Sequence, residues 1–309
     1  MLYNIAMDLA YIAFQQILIM VMIMAIGLTC AKVGLIDDSA NKRFSSLLLV
    51  LVNPLVILLA YQRPFEPELL RGLLLSIFLG LVAFGIACAV VHVVYRNRGG
   101  RDLALERFAA IYPNSGFLGI PLIYGIFGAE GVFYLTGYLT VFFSFFWTHG
   151  MMTMSGKRDF STIKKAMASP PLLAIFLGFM LFVLQIEIPQ IIHTPLALIG
   201  SLNTPLAMLV AGASIYGASV AKILRDKRVY GLVAMRLLIL PTLTILVLAP
   251  FDIPPMIRSI TVIISACPIA INLILFAHKY DRDHVYASQA FVAATILSMG
   301  TIPLLLMFL

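Results

Sequence analysis

Hydrophobic positions in this chain come in long runs rather than in narrow stripes. About twenty apolar residues at a time are followed by a short cluster of charged or turn-forming residues, from one end of the chain to the other. A run of ~20 apolar residues is what a helix needs to cross a hydrocarbon core ~30 Å thick. Reading runs against punctuation predicts ten spans, at about 8–32, 44–62, 72–95, 108–127, 131–154, 170–188, 195–218, 229–250, 259–277 and 285–308. The expectation is an all-α, multi-pass membrane protein. The first run, Ile5 to Val33, is too long for a signal-peptide core and lacks a basic stretch before it, so it reads as the first span.

The segments between spans alternate in charge. Those after odd spans hold Lys32, Lys42 and Arg43; Arg96, Arg98, Arg101 and Arg107; Lys157, Arg158, Lys164 and Lys165; Lys222, Arg225, Lys227 and Arg228; and Lys279 and Arg282. The other side has only Arg63, Arg71 and Arg258, and Arg236 lies inside a span. Lysine and arginine collect in cytoplasmic loops. Both termini are therefore expected outside the cytoplasm, in a bacterial inner or plasma membrane. Composition agrees: 61% of residues are hydrophobic and 11% charged, too little polarity to cover a soluble protein of this size. The net charge of +7 is a topology signal and a contact for anionic lipid. It forms no basic face for nucleic acid.

Within "RFAAIYPNSGFLGIPLIYGIFG" (107–128), Pro113, Asn114, Ser115, Gly116, Gly119 and Pro121 interrupt what would otherwise be one span. Free N–H and C=O groups at membrane depth are tolerable only where they line a cavity or are buried in protein. The ninth span has a comparable break at Pro268, in "SACPIAINLILFAHKY". A second pair matches as well: Asn53-Pro54-Leu55 resembles Asn203-Thr204-Pro205-Leu206. The two pairs are separated by 150 and 155 residues, so the chain reads as two five-span repeats, 1–155 and 156–309. Because five is odd, the second repeat is expected to be inverted. Inverted repeats with paired broken helices mark secondary transporters, whose substrate site lies at the breaks. Half-helix N-termini there offer unpaired donors and partial positive charge to an anion.

At these residues the chain resembles the auxin efflux carrier family, both its bacterial members and the plant PIN-formed carriers. The resemblance covers almost the whole chain and is most specific in "YPNSGFLGIPL" (112–122) and "ACPIAINLILFAHKYDRDHVYASQAFVAATILSMGTIPL" (266–304). It implies a fold in which the fourth and ninth spans cross at Pro113 and Pro268, with Asn114 touching substrate. Spans one, two, six and seven resemble a static scaffold, usually dimeric; three to five and eight to ten resemble a moving transport bundle. Two departures stand out. Residues 155–169 are short where plant carriers have a long loop, and Ile269-Ala270 stands where they carry polar Gln-Gly. Auxin itself is therefore not the expected substrate.

Candidate chemistry centres on the breaks. Asn114, Ser115, Pro113, Gly116, Pro268, Asn272 and Arg236 are the expected substrate-binding residues, and Asn53, Pro54 and Pro205 mark the repeat motif. Arg236 lies eight residues past Arg228, ~12 Å deeper along a helix, where it attracts an anion, braces the bundle through carbonyls or snorkels to the cytoplasmic interface. All fourteen acidic residues fall in loops or near span ends, so the chain lacks the buried acid that proton antiporters use. A sodium site could be built from Asn203, Thr204, Ser265, Asn272 and Gln289, each of which also serves as interhelical glue. The five histidines read as interfacial or loop residues, "YLTVFFSFFW" (138–147) as lipid-facing bulk and packing with a part able to line a pocket, and "GASIYG" (212–217) as a close-packing surface. Cys30, Cys88 and Cys267 have no metal-like spacing. No hydrolase motif can be assembled, and no cofactor or metal is called for.

The expectation is a transporter of a small organic anion that works by an elevator-type motion, as a homodimer in the bilayer. A sodium-coupled symporter of the bile-acid type and a non-transporting ligand sensor are the alternatives.

Overall fold

Residues 2–96, 102–156, 168–216 and 226–308 are described by a computed structural model, with side chains from residue 10 onward. The basic residues expected at 97–101, 157–167 and 217–225, Gly217, and the side chain of Asp8 lie outside the described residues. The helices are α1 (Leu2–Lys32), α2 (Asp38–Ala60), α3 (Pro67–Val94), α4 (Leu103–Ile111), α5 (Ser115–Ser155), α6 (Pro170–Val183), α7 (Gln190–Ile215), α8 (Lys227–Leu248), α9 (Pro255–Ala266), α10 (Asn272–Lys279) and α11 (His284–Leu306). Seven are long and apolar enough to cross a membrane: α1 (from Ala10), α2, α3, α5, α7, α8 and α11; α6 and α9 are apolar but shorter.

Local chemistry sets the helix ends. Beside four of the five basic segments, helices start on an aspartate whose carboxylate accepts a first-turn N–H: Asp37 from Ala40, Asp102 from Leu105, Asp226 from Arg228 and Asp283 from Tyr286. At the opposite end of the bundle, α3 and α9 start with Pro67 and Pro255, where a missing N–H costs nothing. The basic end is also tied together. Arg282, after α10, binds Asp102 before α4 at 2.7 Å and the Met154 carbonyl near the end of α5.

α5 runs for 41 residues, about twice the length of one crossing. Its path turns at Gly128, with φ 65° and ψ −155°, a conformation open to glycine alone. The expected spans 108–127 and 131–154 therefore share one element, whose two arms meet at Gly128 and whose first arm begins at Ser115.

Packing sorts the helices into two groups. α1 lies along the second half of α7, backbone against backbone: a Cβ at Gly212 would sit 2.0 Å from the Met24 carbonyl oxygen, and one at Gly27 2.4 Å from that of Leu209. Gly212, which opens "GASIYG", is thus spent inside the chain. α2 packs on α6 and α7. In the second group α5 packs on α3, α9 on α5, α8 and α11, and α10 on α11, and the groups join where α1 packs on α11 and α5 and α2 packs on α5. The periphery is apolar and exposed, as lipid requires: Phe14, Leu18, Met22 and Ile26 face outward on α1, whose most apolar stretch is only 28% buried. Among the 138–147 aromatics, packing inward outweighs facing lipid. Tyr138, Phe142, Phe143 and Phe146 are buried, because this arm of α5 lies between α3 and the breaks.

Candidate functional site

The centre of the molecule is a place where two helical paths stop. α4 ends at Ile111 and α5 begins at Ser115; α9 ends at Ala266 and α10 begins at Asn272. Pro113 and Pro268 cannot donate the hydrogen bonds that would carry a helix through. The intervening residues pair with each other instead. Asn114 N–H donates to the Pro268 carbonyl at 2.7 Å and Ala270 N–H to the Tyr112 carbonyl at 3.1 Å, an antiparallel bridge centred on Pro113 and Ile269. This pairing satisfies four backbone groups that could find no water at that depth.

The C-terminal ends of α4 and α9 converge beside the bridge, and Arg236 binds both. Its Nε donates to the Cys267 carbonyl at 3.0 Å, Nη1 to Ala110 at 3.0 Å and Ile111 at 3.3 Å, and Nη2 to Ser265. A helix C-terminus carries roughly −0.5 charge, so two of them approximately balance one guanidinium. The side chain is 2% exposed. Of the three roles open to it on sequence grounds, the hydrogen-bonding pattern is that of a brace.

Four widened, π-type turns surround this centre among the described residues: Leu48–Val52, Ser115–Gly119, Phe146–Gly150 and Met235–Ile239. Three of them end two residues before a proline, Pro54, Pro121 and Pro241. A proline ring crowds the carbonyl four residues back and offers it no donor, so the turn before it opens. The fourth contains His149; the Tyr112 hydroxyl donates to the neighbouring Phe145 carbonyl at 3.0 Å and meets His149 Nδ1 at 2.7 Å. Each turn thereby aims a polar residue at the centre: Asn53 just after one, Ser115 in the next, then His149 and Arg236.

The repeat-motif asparagines meet. Asn203 Nδ2 donates to Asn53 Oδ1 at 2.6 Å, and Asn53 Nδ2 donates to the Gly116 carbonyl at 3.3 Å. The chain of bonds links α7 and α2 to the first turn of α5. There Gly116 and Phe117 have N–H groups with no backbone acceptor among the described residues. Asn114 is 4% exposed and Ser115 fully buried, with the Ser115 hydroxyl and Asn203 Oδ1 lacking partners. Thr204 and Asn203 line a cavity of about 280 Å³ between α2, α5 and α7.

The remaining candidates divide. Asn272 opens α10 and is partly exposed; Ser265 spends its hydroxyl on the Val262 carbonyl and its carbonyl on Arg236; Gln289 is buried on α11. Pro54 and Pro205 sit in the first turns that present Asn53 and Asn203. Two buried groups escaped the sequence reading. Glu106 is 1% exposed within α4, 3.4 Å from Arg228, and His149 is half-buried against Tyr112 rather than interfacial. A carboxylate four residues from a loop cluster gives no signal of burial, and a tyrosine partner 37 residues away gives none for the histidine.

The sequence matches the profile of the Membrane transport protein family, that of the auxin efflux carriers, over residues 12–163 and 158–306. An uncharacterised transporter of Methanothermobacter thermautotrophicus is 26% identical over 94% of this chain and 96% of its own. An uncharacterised transporter of Methanocaldococcus jannaschii is 24% identical over 92% and 95%. With its apolar helices, this makes the chain an integral, multi-pass membrane protein. It belongs to the auxin efflux carrier family of membrane transport proteins.

Proposed function

We propose that the chain is a secondary transporter of a small organic anion, built as ten spans in two inverted repeats, 1–155 and 156–309. α1, α2, α6 and α7 form the scaffold, and α3–α5 with α8–α11 form the bundle that slides against it. The observation that carries this reading is the bridge between Pro113 and Ile269 with the unspent N–H groups of Gly116 and Phe117 beside it. Donors at a helix N-terminus favour an anion, and Asn114 and Ser115 add side-chain donors to the same place. Arg236 holds the two paths in register so that the donors are fixed before substrate arrives. By the charge rule both termini face away from the cytoplasm, and by family resemblance the working unit is a homodimer.

The sliding step must break few polar contacts. Among the described residues, those between scaffold and bundle are Asn53 with Gly116, and Tyr61, whose hydroxyl shares a 2.7 Å bond with Thr136. A sodium-coupled reading draws on the partnerless oxygens of Asn203 and Ser115, hard ligands beside a cavity.

The test is uptake of labelled malate, malonate and an indole acid into proteoliposomes, with sodium, pH and membrane potential varied one at a time. Saturable uptake that follows potential and ignores sodium supports an anion carrier. Sodium-dependent uptake moves the reading to a symporter. Tight binding without uptake moves it to a sensor.

A further inference from the structure

Arg63 plays no part in the crossing. It lies in the turn between α2 and α3, at the end of the bundle away from the lysine-rich segments, and is half-buried. Its guanidinium carbon stands 5.0 Å from the centre of the Phe133 ring. Among the described residues the guanidinium makes no hydrogen bond or ion pair, and Nε is buried without a partner. Glu66 and Glu130 stand nearby around Tyr134 without pairing with it. A cation partly withdrawn from water and left unpaired costs free energy, which a ligand of opposite charge recovers.

A cavity of about 300 Å³ opens beside Arg63, walled by Tyr61, Leu181 and Ile186 on its apolar side and by Gln62 and Glu187 on its polar side. His193 lines both this cavity and the one that reaches Asn203 and Thr204. The two therefore share a wall, and the second leads to the bonds that end at Gly116. The ring of Phe133 holds the guanidinium by its face, which leaves the edge donors free for a carboxylate in the guanidinium plane. Gln62 accepts from Ile188 N–H through Oε1 at 2.7 Å, so its NH₂ remains to donate. Glu187 is exposed, where water and salt weaken its repulsion.

We infer that Arg63 and Gln62 form an entry subsite for small organic carboxylates, reached before the crossing. Its place on a transport route rests on the function proposed above; its charge and its ligand class do not.

A cysteine at His193 reports the subsite directly. In H193C protein, the labelling rates with a negatively and a positively charged methanethiosulfonate give the sign of the local potential, with the unsubstituted chain as control for Cys30, Cys88 and Cys267. Arg63→Gln should lower the anionic-to-cationic rate ratio about tenfold, as loss of one nearby unit charge in a partly shielded site implies. Arg63→Lys should keep the ratio, and serves if the glutamine variant fails to fold. Malate or an indole acid should slow labelling when Arg63 is present, less with lysine, and not at all with glutamine. A ratio indifferent to Arg63→Gln overturns the subsite, as does a shifted ratio with no protection by either acid. Protection without uptake of those acids in proteoliposomes leaves the subsite standing and counts against transport of them.

Discussion

The two interruptions, 112–114 and 267–271, are built alike in backbone and unlike in side chain. Both follow a helix that ends in carbonyls bound by Arg236, both contain a proline, and each supplies one donor and one acceptor to the shared bridge. The first presents Asn114 and Ser115; the second presents Ile269, Ala270 and Ile271, all buried. The symmetrical part builds the frame, and the asymmetrical part sets what lines it. On the transport reading proposed above, an anion held here would meet polar side chains on one side and an apolar wall on the other, which suits an amphipathic acid better than a small inorganic ion.

The largest effect should come from removing what both sides share. Arg236→Met leaves four buried carbonyls without a donor, at ~1–3 kcal/mol for each unsatisfied group. Gel filtration and a thermal melt in detergent should show aggregation or the steepest fall in Tm of any variant here. A melt like the parent's would mean the two ends hold together without the brace. Next, Pro268→Ala restores a donor and a helical preference to one interruption only. Folded protein should persist, with turnover down by about tenfold or more, on the order of 1.4 kcal/mol in the barrier. Near-normal turnover would show that the bridge does not depend on proline at 268.

Asn114→Ala makes the first interruption as plain as the second. Substrate affinity should fall about tenfold with the melting temperature held, a loss of ~1.4 kcal/mol by equilibrium dialysis or scintillation proximity. Unchanged affinity would remove Asn114 from the site. The smallest effect concerns the link to the scaffold. A double-mutant cycle with Asn53→Ala and Asn203→Ala should give a coupling of ~0.5–1.5 kcal/mol in stability. Additive losses would make their 2.6 Å contact incidental.

Much of the frame was legible in the sequence because its causes are local. Pro113, Pro268 and the Asn53/Asn203 match could be read directly, since proline forbids a helix wherever it stands and a repeated motif is visible as text. The burial of Arg236 was legible from its distance to Arg228. Its ligands were not, because Ala110 and Cys267 contribute only backbone, which any residue would provide. The inward turn of Phe142 and Phe146 was hidden for a related reason: lipid and protein interior are equally apolar, so periodicity does not separate them. In the sequence Arg63 is only one of the few charges between even and odd spans; its lack of a hydrogen-bond or ion-pair partner among the described residues exists only in three dimensions.

The bridge at Pro113 and Ile269 has a consequence for how such a protein can diversify. Its bonds run between main-chain atoms, and its brace grips main-chain atoms too. Side chains at 114, 115 and 269–271 can therefore change without disturbing what holds them in place. What lines the crossing is free to change by point substitution, whereas an insertion or deletion in either stretch would throw the pairing out of register and dismantle the crossing at once.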